Sequence, residues 1–265
     1  MSADRQEPAA PAVEVSHQGA IAVVTLRNPP VGAFSVEVVR ALAETMAQLR
    51  SAPSEAVVLR SGVDGYFGAG ADLTVVRGAE PEAFRAYVMA VREAVEAVAD
   101  LPAITLAAID GVALGGGLEL ALACDLRFAS PRARLGLPEV RLGLLPGAGG
   151  TQRLTRMIGR AAALELMLSG RQADAEEAVA LGLVTRVDDA PDAAALDWAT
   201  RYCRGSTRAG AAIVRCVDMA QSQPERGMAH ELEEIVALFA GDDTRERIRR
   251  FFDRDDARAP SGPHA

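Results

Sequence analysis

The sequence predicts an α/β core followed by a helical C-terminal region, on two observations. As far as about Gly170, short apolar segments rich in β-branched residues alternate with amphipathic stretches, the pattern of strands joined by crossover helices. Beyond Gly170 the chain reads as almost wholly helical, to about Phe252. A chain of 265 residues has ample core volume, enough to bury about three quarters of the surface its unfolded state exposes. One large domain with a smaller appendage is expected: a flexible tail over 1–12, an α/β core over 13–200, a helical region over 201–258 and a second flexible tail over 259–265.

Residues 13–27 carry two strands, the second being Ile21-Ala22-Val23-Val24-Thr25-Leu26, with Gly19 as the turn before it. Asn28-Pro29-Pro30 ends them, because proline has no N–H for a ladder. Ser35 is placed to N-cap a helix reaching about Arg50, since Val38, Leu42, Met46 and Leu49 recur on one face. Ala56 to Arg60 reads as a buried strand. Tyr66-Phe67-Gly68-Ala69-Gly70-Ala71-Asp72 reads as a small-residue loop where backbone can approach a ligand.

A helix from about Pro81 to Asp100 precedes a strand from Ala103 to Asp110, a glycine-flanked turn and a helix from Leu118 to Cys124. Strands at Leu126 to Ala129 and Ala133 to Gly136 follow, then a turn at Pro138-Glu139. The cluster Gly147-Ala148-Gly149-Gly150 opens a further helix. After Gly170, helices are expected over about 175–181, 193–203, 209–221, 228–240 and 244–252.

Composition narrows the chemistry. A net charge of −8 disfavours a nucleic-acid partner. All 28 basic residues are arginine, which removes a phosphate-loop lysine, a Schiff-base lysine and a lysine general base. Cys124, Cys203 and Cys216 have neither metal-ligand spacing nor the density of a disulfide framework, as expected in a reducing cytosol. With only His17, His230 and His264, a histidine triad has little to draw on and no metal site is expected. No apolar run approaches the ~20 residues of a membrane span, and residues 1–11 lack an export pattern, so a cytoplasmic location is expected. Gly68-Ala69-Gly70 lacks the third glycine of the dinucleotide fingerprint, and neither a phosphate loop nor a Gly-x-Ser-x-Gly elbow occurs.

Two glutamates remain as candidates. Glu119 follows Gly115-Gly116-Gly117-Leu118 and is flanked by Leu120, Ala121, Leu122 and Ala123, an almost wholly apolar and hence buried helix. A carboxylate there must be held by hydrogen bonds, shift its pKa or do chemistry. The alternative is an exposed first-turn carboxylate favoured by the helix dipole. The glycines favour the first reading, because free N–H groups at a helix start face an anion or a developing oxyanion. Glu139 follows Gly136-Leu137-Pro138; an exposed ion pair with Arg141 is its alternative. Paired carboxylates beside main-chain donors point to acid/base chemistry next to an oxyanion hole.

Ala69-Gly70-Ala71-Asp72-Leu73, the run from Ile109 through Gly115-Gly116-Gly117-Leu118-Glu119-Leu120-Ala121, Cys124-Asp125 and Leu144-Leu145-Pro146-Gly147-Ala148-Gly149-Gly150-Thr151-Gln152-Arg153-Leu154 together resemble the enoyl-CoA hydratase/isomerase (crotonase) family. The resemblance runs from about residue 13 to 255. It implies a crotonase-like spiral of ββα units, C-terminal helices that form a homotrimer or a hexamer of two trimers, and an acyl-CoA thioester substrate in fatty-acid metabolism. No separate cofactor is implied, since coenzyme A enters as part of the substrate.

By the same resemblance, the N–H groups of Ala71 and Gly116 hold the thioester oxygen, Ala69, Gly70, Ala71, Asp72, Leu73 and Gly116 line the substrate site, and Glu119 and Glu139 are the two hydratase carboxylates. The implied reaction adds water across C2=C3 of a 2-enoyl-CoA to give a 3-hydroxyacyl-CoA. Isomerisation or other acyl-CoA enolate chemistry, which needs only one glutamate, is the alternative, and a non-catalytic CoA-binding scaffold is a second. Gly32-Ala33-Phe34 and Thr74-Val75 depart from the Asn-Ala-Leu and Lys-Glu common in the family. Without lysine, Arg27 or Arg254 are the candidates for the CoA phosphates.

Overall fold

A computed structural model describes residues 11–203 and 207–256; the tails expected over 1–12 and 259–265 lie almost wholly outside them. Strands β1 (Val13–Gln18) and β2 (Ile21–Leu26) pair antiparallel around Gly19. After β3 (Ala33–Phe34) comes α1 (Val36–Ser51), whose first turn is capped by Ser35 Oγ accepting from Val38 N. There follow β4 (Ala56–Ser61), β5 (Tyr66–Gly68), β6 (Gly70–Ala71), α2 (Leu73–Val76) and α3 (Pro81–Ala99).

Next are β7 (Ile104–Ile109), β8 (Val112–Leu114), α4 (Gly116–Ala123), β9 (Leu126–Ala129), β10 (Arg134–Gly136) and a 3-10 turn over Glu139–Leu142. The rest of this unit is α5 (Gly150–Ile158), α6 (Arg160–Ser169), β11 (Ala173–Asp174), α7 (Ala175–Ala180), β12 (Arg186–Val187) and α8 (Pro191–Tyr202).

Two sheets organise these elements. The larger has the order β1-β2-β4-β7-β9-β12, and every neighbour after the β1/β2 hairpin is parallel. The smaller has the order β11-β10-β8-β5. Three times in succession the chain lays one strand in the large sheet (β4, β7, β9), the next in the small sheet (β5, β8, β10), and then turns into helix. Parallel neighbours need such crossovers.

Both faces of the large sheet are covered, so its strands are continuous apolar runs rather than alternating ones. Ala22, Val24, Val57, Leu59, Ala107 and Ile109 belong to the core packed with α1, α3 and α4; Ile21, Ala56, Val58, Leu106, Ala108 and Phe128 pack with Ala194, Ala195 and Ala199 of α8. Arg127, on β9, is buried and donates to the carbonyls of Cys124 at 2.6 Å and Leu183 at 2.8 Å, which ties down the C-terminal end of α4.

The structure corrects the sequence reading where strands are short. Residues 66–72 contain β5 and β6 rather than loop alone, Val112–Leu114 is a strand where a turn was expected, and β11 and β12 lie in the stretch read as almost wholly helical. Strands of two or three residues carry no periodicity of their own; their partners define them. The chain divides into two compact units, the first ending at Thr207. The second contains most of α9 (Thr207–Ser222), with α10 (Pro224–Ala240) and α11 (Asp242–Asp256).

Candidate active site

The small residues allow two backbones to meet. A side chain at Gly117 would begin 2.1 Å from the Gly68 carbonyl oxygen, so the start of α4 lies flush on the end of β5. One side chain further along, a Cβ at Gly70 would begin 3.2 Å from Gly116 N. Gly116 is the first residue of α4, so its N–H has no intrahelical acceptor. The preceding Gly115 N donates to Gly136 O at 3.0 Å, which fixes the turn against β10.

Tyr87 clamps the other side. Its hydroxyl donates to Phe34 O at 2.5 Å and accepts from Asp72 N at 3.0 Å, joining α3, β3 and the segment after β6. Burial raises the hydroxyl's pKa above its ordinary value. Asp72 in turn caps α2, its Oδ1 accepting from Thr74 N at 2.9 Å and Thr74 Oγ1 at 2.7 Å. Tyr87 is absent from the sequence-predicted site. Its signal is a tyrosine in the buried face of α3, where a hydroxyl needs a partner.

Glu119 is only 3% exposed. Its Oε1 accepts from Ala148 N at 2.7 Å and Gly150 N at 2.8 Å. Gly150 opens α5, so the carboxylate sits on the positive end of that helix. The hydrogen bonds that hold Glu119 thus come from the glycine cluster that opens α5. Burial pushes the Glu119 carboxyl above its ordinary value, against the pull of the Gly150 and Ala148 N–H groups and the charge of Arg153.

Glu139 opens the 3-10 turn and makes no ion pair among the described residues, with Arg141 or otherwise. Its Oε1 lies 3.0 Å from where a side chain on Gly115 would begin, and its Oε2 is buried without a hydrogen-bond partner. The carboxyl is pushed up to about 7, chiefly by burial; its own N–H opposes the shift and the Glu119 charge adds to it.

All eight sequence-predicted residues, Ala69, Gly70, Ala71, Asp72, Leu73, Gly116, Glu119 and Glu139, line one cavity of about 610 Å³. Phe84, Tyr87, Val88 and Val91 of α3 and Leu142, Leu144 and Leu145 supply apolar wall that sequence reasoning did not assign. Of the departures from the family pattern, Thr74 lines the cavity, and Phe34 packs on Gly116, its Cδ2 being 3.2 Å from that residue's Cβ position. Arg27 pairs with Glu14 at 3.0 Å and does not line the cavity; the Arg254 side chain lies outside the described residues.

Comparison with known proteins places these features in context. The sequence profile of the family described as enoyl-CoA hydratase/isomerase matches residues 16–258. A mitochondrial methylglutaconyl-CoA hydratase of Mus musculus is 40% identical over 197 residues, 72% of this chain and 63% of that protein. A peroxisomal bifunctional enzyme of Danio rerio is 47% identical over 172 residues, 64% of this chain and 23% of that protein. The chain thus spans less than two thirds of the length of these curated relatives. Among solved structures, an enoyl-CoA hydratase from Bacillus anthracis superposes with a TM-score of 0.88 at 31% identity, covering 92% of this chain and 96% of that one. DspI of Pseudomonas aeruginosa gives a TM-score of 0.89 at 33% identity, covering 96% and 98%.

Proposed function

Because the chain belongs to the enoyl-CoA hydratase/isomerase family, we propose that it hydrates a 2-enoyl-CoA to a 3-hydroxyacyl-CoA. Its ββα units and C-terminal helices form the α/β crotonase fold. One observation carries the proposal: two carboxylates, Glu119 gripped by two main-chain N–H groups and Glu139 with one buried oxygen left without a partner, lie in the same apolar cavity as the start of α4.

The chemistry follows from that difference in hydrogen bonding. Glu119, held by two N–H groups, is the base: it takes a proton from a water whose oxygen attacks C3. Glu139 holds a proton to about neutral pH and delivers it to C2. The N–H groups of Ala71 and Gly116 take the thioester oxygen, which draws electron density from C3 and stabilises the enolate-like charge; such donors contribute about 2.7–4 kcal/mol each. Donors and carboxylates thereby act on one transition state. The pair should titrate as a coupled unit, since each charge raises the cost of ionising the other.

The test is incubation with crotonyl-CoA, following loss of the enone absorbance and identifying the product by chromatography. A 3-hydroxyacyl product supports hydration. A shifted double bond without added water supports isomerisation, and tight binding without turnover supports a scaffold role. We further propose a homotrimer or a hexamer of two trimers, supported by the exposed stripe Met228, Leu232, Ile235, Val236 and Phe239 on α10. A cytoplasmic location is supported by three free cysteines; among the described residues, no helix is long and apolar enough to cross a membrane.

A further inference from the structure

The loop that binds Glu119 is itself held from behind. Arg153, on α5, donates from Nη1 to the Ala148 carbonyl at 3.1 Å and from Nη2 to Glu96 Oε2 on α3 at 2.8 Å. The peptide unit joining Ala148 to Gly149 lies between the two donors of Glu119, Ala148 N on one side and Gly150 N on the other. Gripping its carbonyl fixes the direction of both. The approach is possible only because residue 149 is glycine: a Cβ there would begin 2.3 Å from Arg153 Nη1, and the backbone adopts φ +102°. The Arg153 side chain is 16% exposed, so its charge acts on Glu119 with little screening.

We propose that Arg153, anchored by Glu96, is a positioning residue that aims the two N–H groups at Glu119 and keeps that carboxylate ionised. Arg153 from α5 is the charged side chain that acts on Glu119, Glu139 from the 3-10 turn feels the Glu119 charge, Glu96 from α3 faces Arg153, and Tyr87 from α3 lines the same cavity. Arg153 thus opposes the burial that otherwise favours the protonated acid. A planar guanidinium makes both contacts at once, which a lysine ammonium cannot do in the same geometry.

The proposal rests on the hydration reading for its kinetic readout alone, and a second measurement frees it from that. In R153Q, the Glu119 carboxyl followed by ¹³C NMR should titrate about one unit higher than in the wild type, at the low end of what loss of a nearby opposite charge does. The acid limb of kcat/KM should move up with it. R153K should keep the titration near the wild-type value but lose kcat by roughly tenfold or more with KM little changed, because the peptide is no longer gripped. If R153Q does not fold, R153K decides: unchanged kcat overturns the proposal. So does a folded R153Q whose Glu119 titration matches the wild type. A shifted titration in a protein that turns over no enoyl-CoA would retain Arg153's role and reject hydration.

Discussion

At the scale of single residues, Glu119 and Glu139 make separable contributions. E119Q and E139Q should each lower turnover by at least about a hundredfold, the loss expected for a general base or acid, while acyl-CoA binding measured by calorimetry changes little. Unchanged turnover in either variant rejects its assigned role. In the wild type, kcat/KM should rise with pH as Glu119 ionises and fall as pH passes about 7, where Glu139 loses its proton. An alkaline limb well above that value would remove Glu139 as the acid. The same shift bears on stability. Between the ordinary 4.5 and about 7 the folded chain holds a proton that the unfolded chain has released, so this group's stabilising contribution, complete below 4.5, is lost as pH rises through that interval. Removing the Glu119 charge in E119Q should lower the Glu139 titration point, as NMR would show. Both glutamates are legible in the sequence because a carboxylate among leucines and glycines is anomalous. Their partners are not: nothing local says that Ala148 and Gly150, some thirty residues on, donate to Glu119.

At the scale of elements, caps and glycine contacts decide the geometry. Losing the Ser35 cap in S35A should cost about 1 kcal/mol of stability in denaturant titration, with kcat/KM preserved, since Ser35 is not among the cavity residues. Adding one methyl in G117A should be far worse. It drives a Cβ against the Gly68 carbonyl, costing about 3 kcal/mol or preventing folding, and any folded fraction should show weakened thioester binding because β5 and α4 no longer abut. A variant as stable and active as the wild type would refute that contact. Long elements, α1 and α3 with a clear period and β2 and β4 as continuous apolar runs, are readable from sequence almost to the residue. Of the two- and three-residue strands, β10 alone is anticipated, over Ala133 to Gly136; the others exist only through hydrogen bonds to partners far along the chain.

At the scale of the whole molecule, sedimentation should give a trimer or a hexamer, and replacing Leu232 and Phe239 by aspartate should shift the protein toward monomer. A wild-type chain that sediments as a monomer at micromolar concentration would remove the proposed assembly. The α/β class and the helical C-terminal stretch are visible in the alternation of segments, but the ββα repeat is not, since its second strands are so short. Glu119 carries a larger implication. Its oxygen closes the first turn of α5 as well as serving the proposed chemistry, so a descendant without catalysis would still be under pressure to retain an acceptor at this position. Glu139, with a buried oxygen that satisfies no architectural need, is under no such obligation. In deciding whether a protein built this way is an enzyme or a pseudoenzyme, position 139 is therefore the more informative witness.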